Sequence, residues 1–239
     1  MVRQVAARMF GRSSEAAVLA FDTSGAVGSV AVQAQGRILA HGVITRRAEH
    51  AAGLLPLIDE VLSDAGVDLF ALGAIVVGQG PGSFTGVRVA AATAKGLGRS
   101  LGVPLWAVSS LAAAALAADV GSIRYALFDA RAERVYGACY SVEDNAVETL
   151  VPPHAGDLRG VLVGDVPRGA TFVGDGSEKH RIAIEGAGFP VEATDPDVPL
   201  AIGLLEFVRR APDLLRVQDV STWEPEYVRV SGAERLWGP

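Results

Sequence analysis

The feature that most limits the fold is an apolar strand followed by an aspartate and a tight turn, which occurs twice in the sequence. Residues 18–21 (VLAF) lead to Asp22, and residues 123–128 (IRYALF) lead to Asp129. A second apolar strand follows each turn, so each half of the chain opens with a predicted hairpin. The two aspartates are 107 residues apart in a chain of 239 residues.

A glycine-containing turn is repeated in the same order. The segment IVVGQG (75–80) corresponds to TFVGDG (171–176), and their first glycines, Gly78 and Gly174, are 96 residues apart. Two matches with similar offsets predict a duplicated unit of about 100 residues. Chance similarity between short strand–turn patterns is the alternative. A duplication would place both aspartates and both glycine turns around one central cleft, as in the actin, sugar-kinase and Hsp70 ATPase fold.

The spacing of apolar residues predicts three strands, a helix, a strand and a helix in each half. The predicted strands cover 18–21, 28–32, 36–45, 74–77, 104–108, 123–128 and 134–140, and the helices cover 49–65, 84–100, 109–118 and 200–210. We expect the last helix to pack back toward the first lobe. The predicted fold is therefore α/β, with mixed sheets flanked by helices in two ribonuclease H-like lobes, at 18–118 and 119–239. Residues 1–17 are interpreted as a disordered extension.

Composition disfavours several classes of protein. The formal net charge is −6, whereas autonomous nucleic-acid binding needs a dense basic surface. Cys139 is the only cysteine, so an internal disulfide cannot form, and we expect a reducing, cytoplasmic environment. The sequence has no run of about 18 apolar residues, so no membrane span is expected.

The stretch GQGPGSFTGVR (78–88) contains four glycines and a proline directly after an apolar strand. Amides at the start of a helix favour an anion, here with Ser83 as the N-cap and Thr85 and Arg88 as further donors. The loop lacks the Gly-Lys-Ser/Thr ending of a nucleotide P-loop. An anion-facing loop and a tight strand-to-helix connection therefore both remain open. The candidates for a nucleotide- or anion-facing site are Asp22, Gly80, Gly82, Ser83, Thr85, Arg88, Asp129, Gly174 and Gly176.

The helix after this loop carries small residues on one broad face, which let another helix approach closely. They are Gly86, Ala90, Ala91, Ala94 and Gly98. Packing against the chain's own sheet is the ordinary interpretation of such a face. Because helix 49–65 is also strongly apolar, the alternative is that the two helices form a docking surface for a partner.

Several segments together identify a family resemblance. They are LAFDTSGAVGSVAV, EHAAGLLPLIDEVL, GQGPGSFTGVRVAAATAKGLG, VSSLAAAA, DARAERVYGACY, VGDG and PEYVRV. In this order they resemble the bacterial TsaB family, also called YeaZ, over residues 18–230, and GPGSFTGVR is a specific signature. The resemblance implies the actin-like fold and a role in making threonylcarbamoyladenosine on transfer RNA, at the adenosine beside the anticodon.

The resemblance also implies that the chain is a non-catalytic partner that requires no cofactor of its own. Family members pair with a metal-bearing paralogue, TsaD, work with a small ATPase, TsaE, and form homodimers, and tRNA is engaged through the complex. Their N-lobe helices form the pairing surface, which corresponds here to 49–65 and 84–100. The residues expected at this interface are His50, Leu54, Leu57, Ile58, Val61, Gly86, Ala90, Ala94 and Leu97.

A metallopeptidase is disfavoured on chemical grounds. A metal site on a helix needs two histidines three or four residues apart, and His41, His50, His154 and His180 are never that close. We therefore expect no metal site and interpret His50 as a surface or interface residue in the first turn of its helix.

A small-molecule kinase or ATPase of the same fold is the main alternative function. In such an enzyme Asp22 would hold Mg²⁺ through water, Asp129 would act as a base or second metal anchor, and ATP would bind the cleft. We favour the interpretation that both aspartates cap turns, since Asp readily accepts hydrogen bonds from amides two residues on. An autonomous RNA binder is a weaker third alternative, because basic and aromatic residues do not alternate along the chain.

Overall fold

The computed structural model describes residues 16–131, 134–195, 198–211 and 216–225. The first half contains β1 (Ala17–Asp22), β2 (Gly28–Ala34), β3 (Arg37–Ile44), β4 (Leu72–Gly78) and β5 (Leu105–Val108). They form a mixed sheet in the order β3-β2-β1-β4-β5. Strand β1 is antiparallel to β2 and parallel to β4, so Phe21 lies between Val30 and Val77.

The second half repeats this arrangement. Its strands are β6 (Ile123–Asp129), β7 (Arg134–Glu143), β8 (Ala146–Asp157) and β9 (Thr171–Val173), in the order β8-β7-β6-β9. Strand β6 is antiparallel to β7 and parallel to β9, as β1 is to β2 and β4. The structure thus agrees with the duplicated strand pattern expected from the sequence.

Four of the described helices lie close to their predicted ranges, whereas three short helices between residues 158 and 186 were not predicted. The helices are α1 (His50–Asp64), α2 (Phe84–Leu101), α3 (Ser110–Ala117), α4 (Leu158–Val163), α5 (Asp175–Lys179), α6 (Arg181–Gly186) and α7 (Leu200–Arg210), with short 3-10 turns at Arg47–Glu49 and Leu69–Ala71. Gly66, just after α1, has a φ of 62°, which is the left-handed conformation that commonly follows a helix end. No described helix is long and apolar enough to cross a membrane.

Strand alternation directs side chains into separate cores on the two faces of the first sheet. Leu19 and Phe21 of β1 pack in one core with α1 and α2. Val18 and Ala20 pack on the other face, in a core shared with α3, α7 and the second sheet. A third core joins the far face of the second sheet to α4 and α6. The layers are therefore helix, sheet, helix, sheet and helix.

The middle layer consists of α3 and α7, which cross between the lobes. Helix α3 contacts β6 and β7, whereas α7 contacts β1, β2 and β4, as expected for a helix packing back toward the first lobe. The two helices approach so closely that a Cβ on Gly203 would lie 2.0 Å from the Ala113 carbonyl oxygen. The division of the chain near residue 118 stays a prediction.

The described part of the C-terminal region returns to the first sheet. The amide of Val217 donates to the Leu105 carbonyl at 2.9 Å, and Trp223 packs against the core under α1 and α2. Of the predicted extension at 1–17, residues 1–15 lie outside the described residues, and Ala17 already belongs to β1.

Candidate functional site

Asp22 closes a turn at the end of β1 and is fully buried. One carboxylate oxygen accepts from the Ser24 amide and the Ser24 hydroxyl, both at 2.7 Å. The other accepts from the Ser110 hydroxyl at 2.5 Å. This is the turn-capping geometry that the sequence favours for an aspartate two residues before an amide.

The glycine loop at 78–88 packs directly on this turn. A Cβ on Gly78 would lie 1.7 Å from the Asp22 carboxylate, and one on Gly86 would lie 1.8 Å from the Thr23 carbonyl oxygen. A Cβ on Gly82 would lie 2.4 Å from the Ser24 carbonyl oxygen. Each of these positions needs glycine because the loop backbone approaches the chain's own backbone or carboxylate.

Several polar groups of the loop are engaged within the chain. The Ser83 amide donates to the Ser24 carbonyl at 2.8 Å, and the Gly80 amide donates to the Ser110 hydroxyl at 3.1 Å. Ser83 is the N-cap of α2, as predicted, and its hydroxyl accepts from the Gly86 amide at 3.4 Å. These contacts describe the tight strand-to-helix connection that the sequence left open.

The remaining predicted residues of this loop lie at its surface. Thr85 and Arg88 are exposed. The guanidinium of Arg88 lies 3.7 Å above the centre of the Phe84 ring. Ser109, at the N-cap position of α3, makes no side-chain cap, whereas Ser110 links α3 to Asp22 and to the loop.

Asp129 occupies the corresponding turn of the second half. Its carboxylate accepts from the Arg131 amide at 3.0 Å and from Lys179 at 2.9 Å. Partial burial alone would raise the pKa of Asp129. The hydrogen bonds from Lys179 and Arg131 and the nearby positive charges of Lys179 and His180 outweigh that effect and lower the pKa overall.

The second glycine turn also packs against its own lobe. Gly174 has a φ of 95°, and a Cβ there would lie 2.6 Å from the Leu127 carbonyl oxygen. A Cβ on Gly176 would lie 2.8 Å from the Phe128 carbonyl carbon. Both halves therefore use glycine for the same purpose, a close packing of the second turn on the aspartate turn.

A cavity of about 320 Å³ lies between the two lobes. Its lining residues are Gly25, Ala26, Val27, Ser29, Val43, Thr45, Ala114, Ala117, Ala118, Asp119, Phe128, Val173, Gly174, Asp175, Glu192, Ala193, Thr194, Asp195, Val198, Pro199 and Leu200. Of the nine residues predicted to face a nucleotide or anion, only Gly174 lines it. The other lining residues were not predicted from the sequence. The alanine-rich run at 112–115 was the available signal, because a helix with such small side chains leaves space beside it.

Within the described residues, no three histidine, cysteine, aspartate or glutamate side chains are grouped as a metal site would require. His50 is not a surface residue, and that expectation was wrong. Its Nδ1 lies 3.2 Å from the Thr23 carbonyl oxygen, and its Nε2 is buried without a hydrogen-bond partner. The first turn of α1 packs against the Asp22 turn, which encloses the ring.

Most of the predicted interface residues on α1 and α2 point into their own lobe. His50, Leu54, Ile58, Val61, Gly86, Ala90 and Ala94 are buried, and Leu57 and Leu97 are partly buried against the same core. The helices nevertheless have a second, exposed face. Leu55 is 58% exposed and Phe84 is 46% exposed. A partner bound to these helices would contact this outer face. The predicted residues would lie beneath it, in the core of the lobe.

Comparison with solved structures gives the class of this protein. The crystal structure of a Pseudomonas aeruginosa protein, described as uncharacterized with similarity to the peptidase YEAZ, superposes with a TM-score of 0.74 and 29% identity over 90% of this chain and 100% of that one. Component A of (R)-2-hydroxyglutaryl-CoA dehydratase from Acidaminococcus fermentans shares the fold, with a TM-score of 0.52 and 11% identity over 83% of this chain and 99% of that chain. The two related lobes define an α/β protein of the actin-like ATPase fold.

Sequence comparison then gives the family. The model of the TsaD family, tRNA N6-adenosine threonylcarbamoyltransferase, matches residues 37–192. The Bacillus subtilis (strain 168) tRNA threonylcarbamoyladenosine biosynthesis protein TsaB is 30% identical over 228 residues, which is 92% of this chain and 97% of the relative. The chain belongs to the TsaB (YeaZ) family.

Proposed function

We propose that this protein is a non-catalytic subunit in the biosynthesis of threonylcarbamoyladenosine on tRNA. Membership in the TsaB family supports the pathway, because the B. subtilis relative that carries this name is matched over nearly its whole length. From a role in tRNA modification we infer a cytoplasmic location. The protein contacts tRNA as part of a complex, since its own charge is −6.

The observation that carries the subunit role is the charge pattern on the outer face of α1 and α2. Helix α1 has three acidic residues, Asp59, Glu60 and Asp64, and no lysine or arginine. Helix α2 has three basic residues, Arg88, Lys95 and Arg99, and no aspartate or glutamate. Two such helix pairs related by a two-fold axis can place each acidic helix against a basic one.

The apolar centre of this face supports the same interpretation. Leu55 on α1 and Phe84 on α2 are large exposed apolar side chains, which are the residues that anchor protein interfaces. They lie on the two helices that carry the complementary charges. We define the docking face by the exposed residues Leu55, Asp59, Phe84, Arg88 and Arg99.

The partner we infer for this face is a TsaD-type paralogue. The TsaD family model matches this chain over 37–192, which includes both helices, so a TsaD-type protein would carry an equivalent helix pair. A homodimer would use the same face when the paralogue is absent. A TsaE-type ATPase and tRNA would join the assembled pair.

The alternative of a small-molecule kinase has less support from the geometry. Ser24 and Ser110 already donate hydrogen bonds to both oxygens of Asp22. Among the residues that the structure describes, those lining the interlobe cavity include aspartate and glutamate but no lysine, arginine or histidine, so a triphosphate would meet repulsion there.

Reconstitution tests the proposal. We would combine a cognate TsaD-type protein, a TsaE-type protein, unmodified tRNA and the pathway substrates, with and without this chain, and measure threonylcarbamoyladenosine by mass spectrometry. We expect modification to fall to background when this chain is omitted and no product from this chain alone. Full modification without it, or robust turnover by it alone, would contradict the proposal.

A further inference from the structure

We propose that the cavity between the lobes binds a small apolar amine and excludes nucleotides. The cavity volume of about 320 Å³ is near the lower end of the roughly 300–1,000 Å³ range of small-molecule sites. Its walls come from both halves of the chain. Val27 follows the Asp22 turn and Ala117 is in α3, while Phe128 is in β6 and Leu200 begins α7.

The cavity exists because small residues face it. Ala114 and Ala117 of α3 contribute only methyl groups, and Gly25 and Gly174 contribute no side chain. Phe128 and Val173 form a buried apolar wall, at 4% and 3% exposure. A compact apolar body would therefore fit against fixed side chains, at little conformational cost.

The charges of the residues around the cavity determine which ligand charge it favours. Asp119, Asp175, Glu192 and Asp195 line it, and no lysine, arginine or histidine of the described part of the chain does. Lys179, which belongs to the helix that begins at Asp175, is paired with Asp129 at 2.9 Å. Carboxylates at the edge of an apolar cavity attract a cation and repel a phosphate.

The usual phosphate-binding groups of a glycine loop are directed elsewhere. The amides of Gly80, Ser83 and Gly86 donate within the chain, to Ser110, Ser24 and Ser83 respectively. The loop residues 78–88 do not line the cavity. The ligand class that fits both the apolar wall and the acidic edge is a monocation with a compact apolar body, with Phe128 able to contribute a cation–π contact.

Isothermal titration of the full-length protein tests this assignment. The probes are 2-phenylethylamine, its neutral counterpart 2-phenylethanol, and ATP with Mg²⁺, each titrated at low and high salt. We expect saturable binding of the amine, affinity for the alcohol weaker by about tenfold or more, and no binding of ATP. Added salt should lower the affinity for the amine but not the affinity for the alcohol.

Two variants locate the binding site. Ala117→Leu fills the cavity and should abolish amine binding, whereas Ala146→Leu, at an exposed position of β8, should leave it unchanged. If Ala117→Leu does not fold, Asp119→Asn at the edge of the cavity should lower the affinity for the amine more than the affinity for the alcohol. Equal affinities for amine and alcohol, tight ATP binding, no saturable amine binding, or full binding by Ala117→Leu would each overturn the proposal. These outcomes are independent of assembly with a TsaD-type partner.

Discussion

Gly86 lies in the first turn of α2, where its backbone contacts Thr23 of the Asp22 turn. The Thr23 hydroxyl donates to the Gly86 carbonyl at 2.6 Å, while a Cβ on Gly86 would lie 1.8 Å from the Thr23 carbonyl oxygen. The atom in conflict belongs to the backbone, so no side-chain rotation relieves the clash. The turn and the helix would have to separate.

We therefore predict that Gly86→Ala lowers the free energy of unfolding by about 2 kcal/mol or more. Urea denaturation measures the change. Gly96→Ala in the same helix is the matched control, because nothing lies within 4 Å of its Cβ position. That change should stabilise the protein by about 0.5–1 kcal/mol, as expected for Gly to Ala in a helix interior. Equal effects at the two positions would contradict the described packing.

The lowered pKa of Asp129 predicts a pH-dependent contribution to stability. Because the folded pKa lies below the unfolded one, this contribution is present above the unfolded pKa and is lost as pH falls through the folded pKa. The difference in unfolding free energy between wild type and Asp129→Asn should thus be largest at neutral pH and shrink below about pH 4. Urea titrations across pH measure it, and a difference that grows toward acid would contradict the assignment.

Cys139 should be unreactive in the native protein. Burial raises the pKa of its thiol to about 11, so little thiolate is present at neutral pH, and the side chain is fully enclosed. We predict slow alkylation by iodoacetamide at pH 7.5 and fast alkylation in urea, followed by mass spectrometry. Rapid native alkylation would show that the second lobe opens around β7.

At the residue scale, sequence chemistry predicted the aspartate turns but not the position of His50. A turn in which an aspartate side chain accepts a hydrogen bond from the amide two residues on depends only on local sequence, and both Asp22 and Asp129 form such a turn. The burial of His50 depends on contact with Thr23, which is 27 residues away in the chain, and no local pattern reports that contact.

Arg124 holds the connection between α3 and β6. Its guanidinium donates to the carbonyls of Ala115, Ala118, Val120 and Gly121. These carbonyls lie at the C-terminal end of α3 and in the link to the second half, so one side chain fixes the direction in which the chain enters the second sheet.

We predict that Arg124→Met lowers the free energy of unfolding by about 2–3 kcal/mol, because several carbonyls lose a charged donor. Arg159→Met, at an exposed position in α4, should change it by less than about 0.5 kcal/mol. Differential scanning calorimetry of both variants checks the comparison. A similar loss for the two arginines would show that the connection does not depend on Arg124.

At the scale of elements, the long apolar patterns were predictable and the interrupted ones were not. Helices α1, α2 and α7 have regular apolar spacing and lie close to their predicted ranges. Strand β8 contains Pro152 and Pro153, which obscure a strand pattern. It lies at the edge of its sheet, next to register shifts in its pairing with β7, where proline is tolerated.

At the scale of the whole molecule, duplication predicted two related sheets, but their assembly depends on contacts between the halves. Helix α7 packs on the first sheet and α3 on the second, and Gly203 permits their close crossing. The sequence likewise did not show which face of α1 and α2 is available to a partner. Their apolar spacing identified the buried face, whereas the docking face that we propose is the opposite one, marked by isolated exposed residues such as Leu55 and Phe84.

The proposed docking face is tested by the affinity of this chain for a cognate TsaD-type protein when residues of that face are changed. The test variant is Leu55→Asp with Phe84→Asp, and the control is Ile182→Asp, which alters an apolar side chain that is 89% exposed on α6 of the other lobe. Calorimetric titration should show the dissociation constant of the test variant raised by about 30-fold or more and that of the control unchanged. Unchanged binding by the folded test variant, or equal losses for test and control, would show that α1 and α2 do not form the docking face.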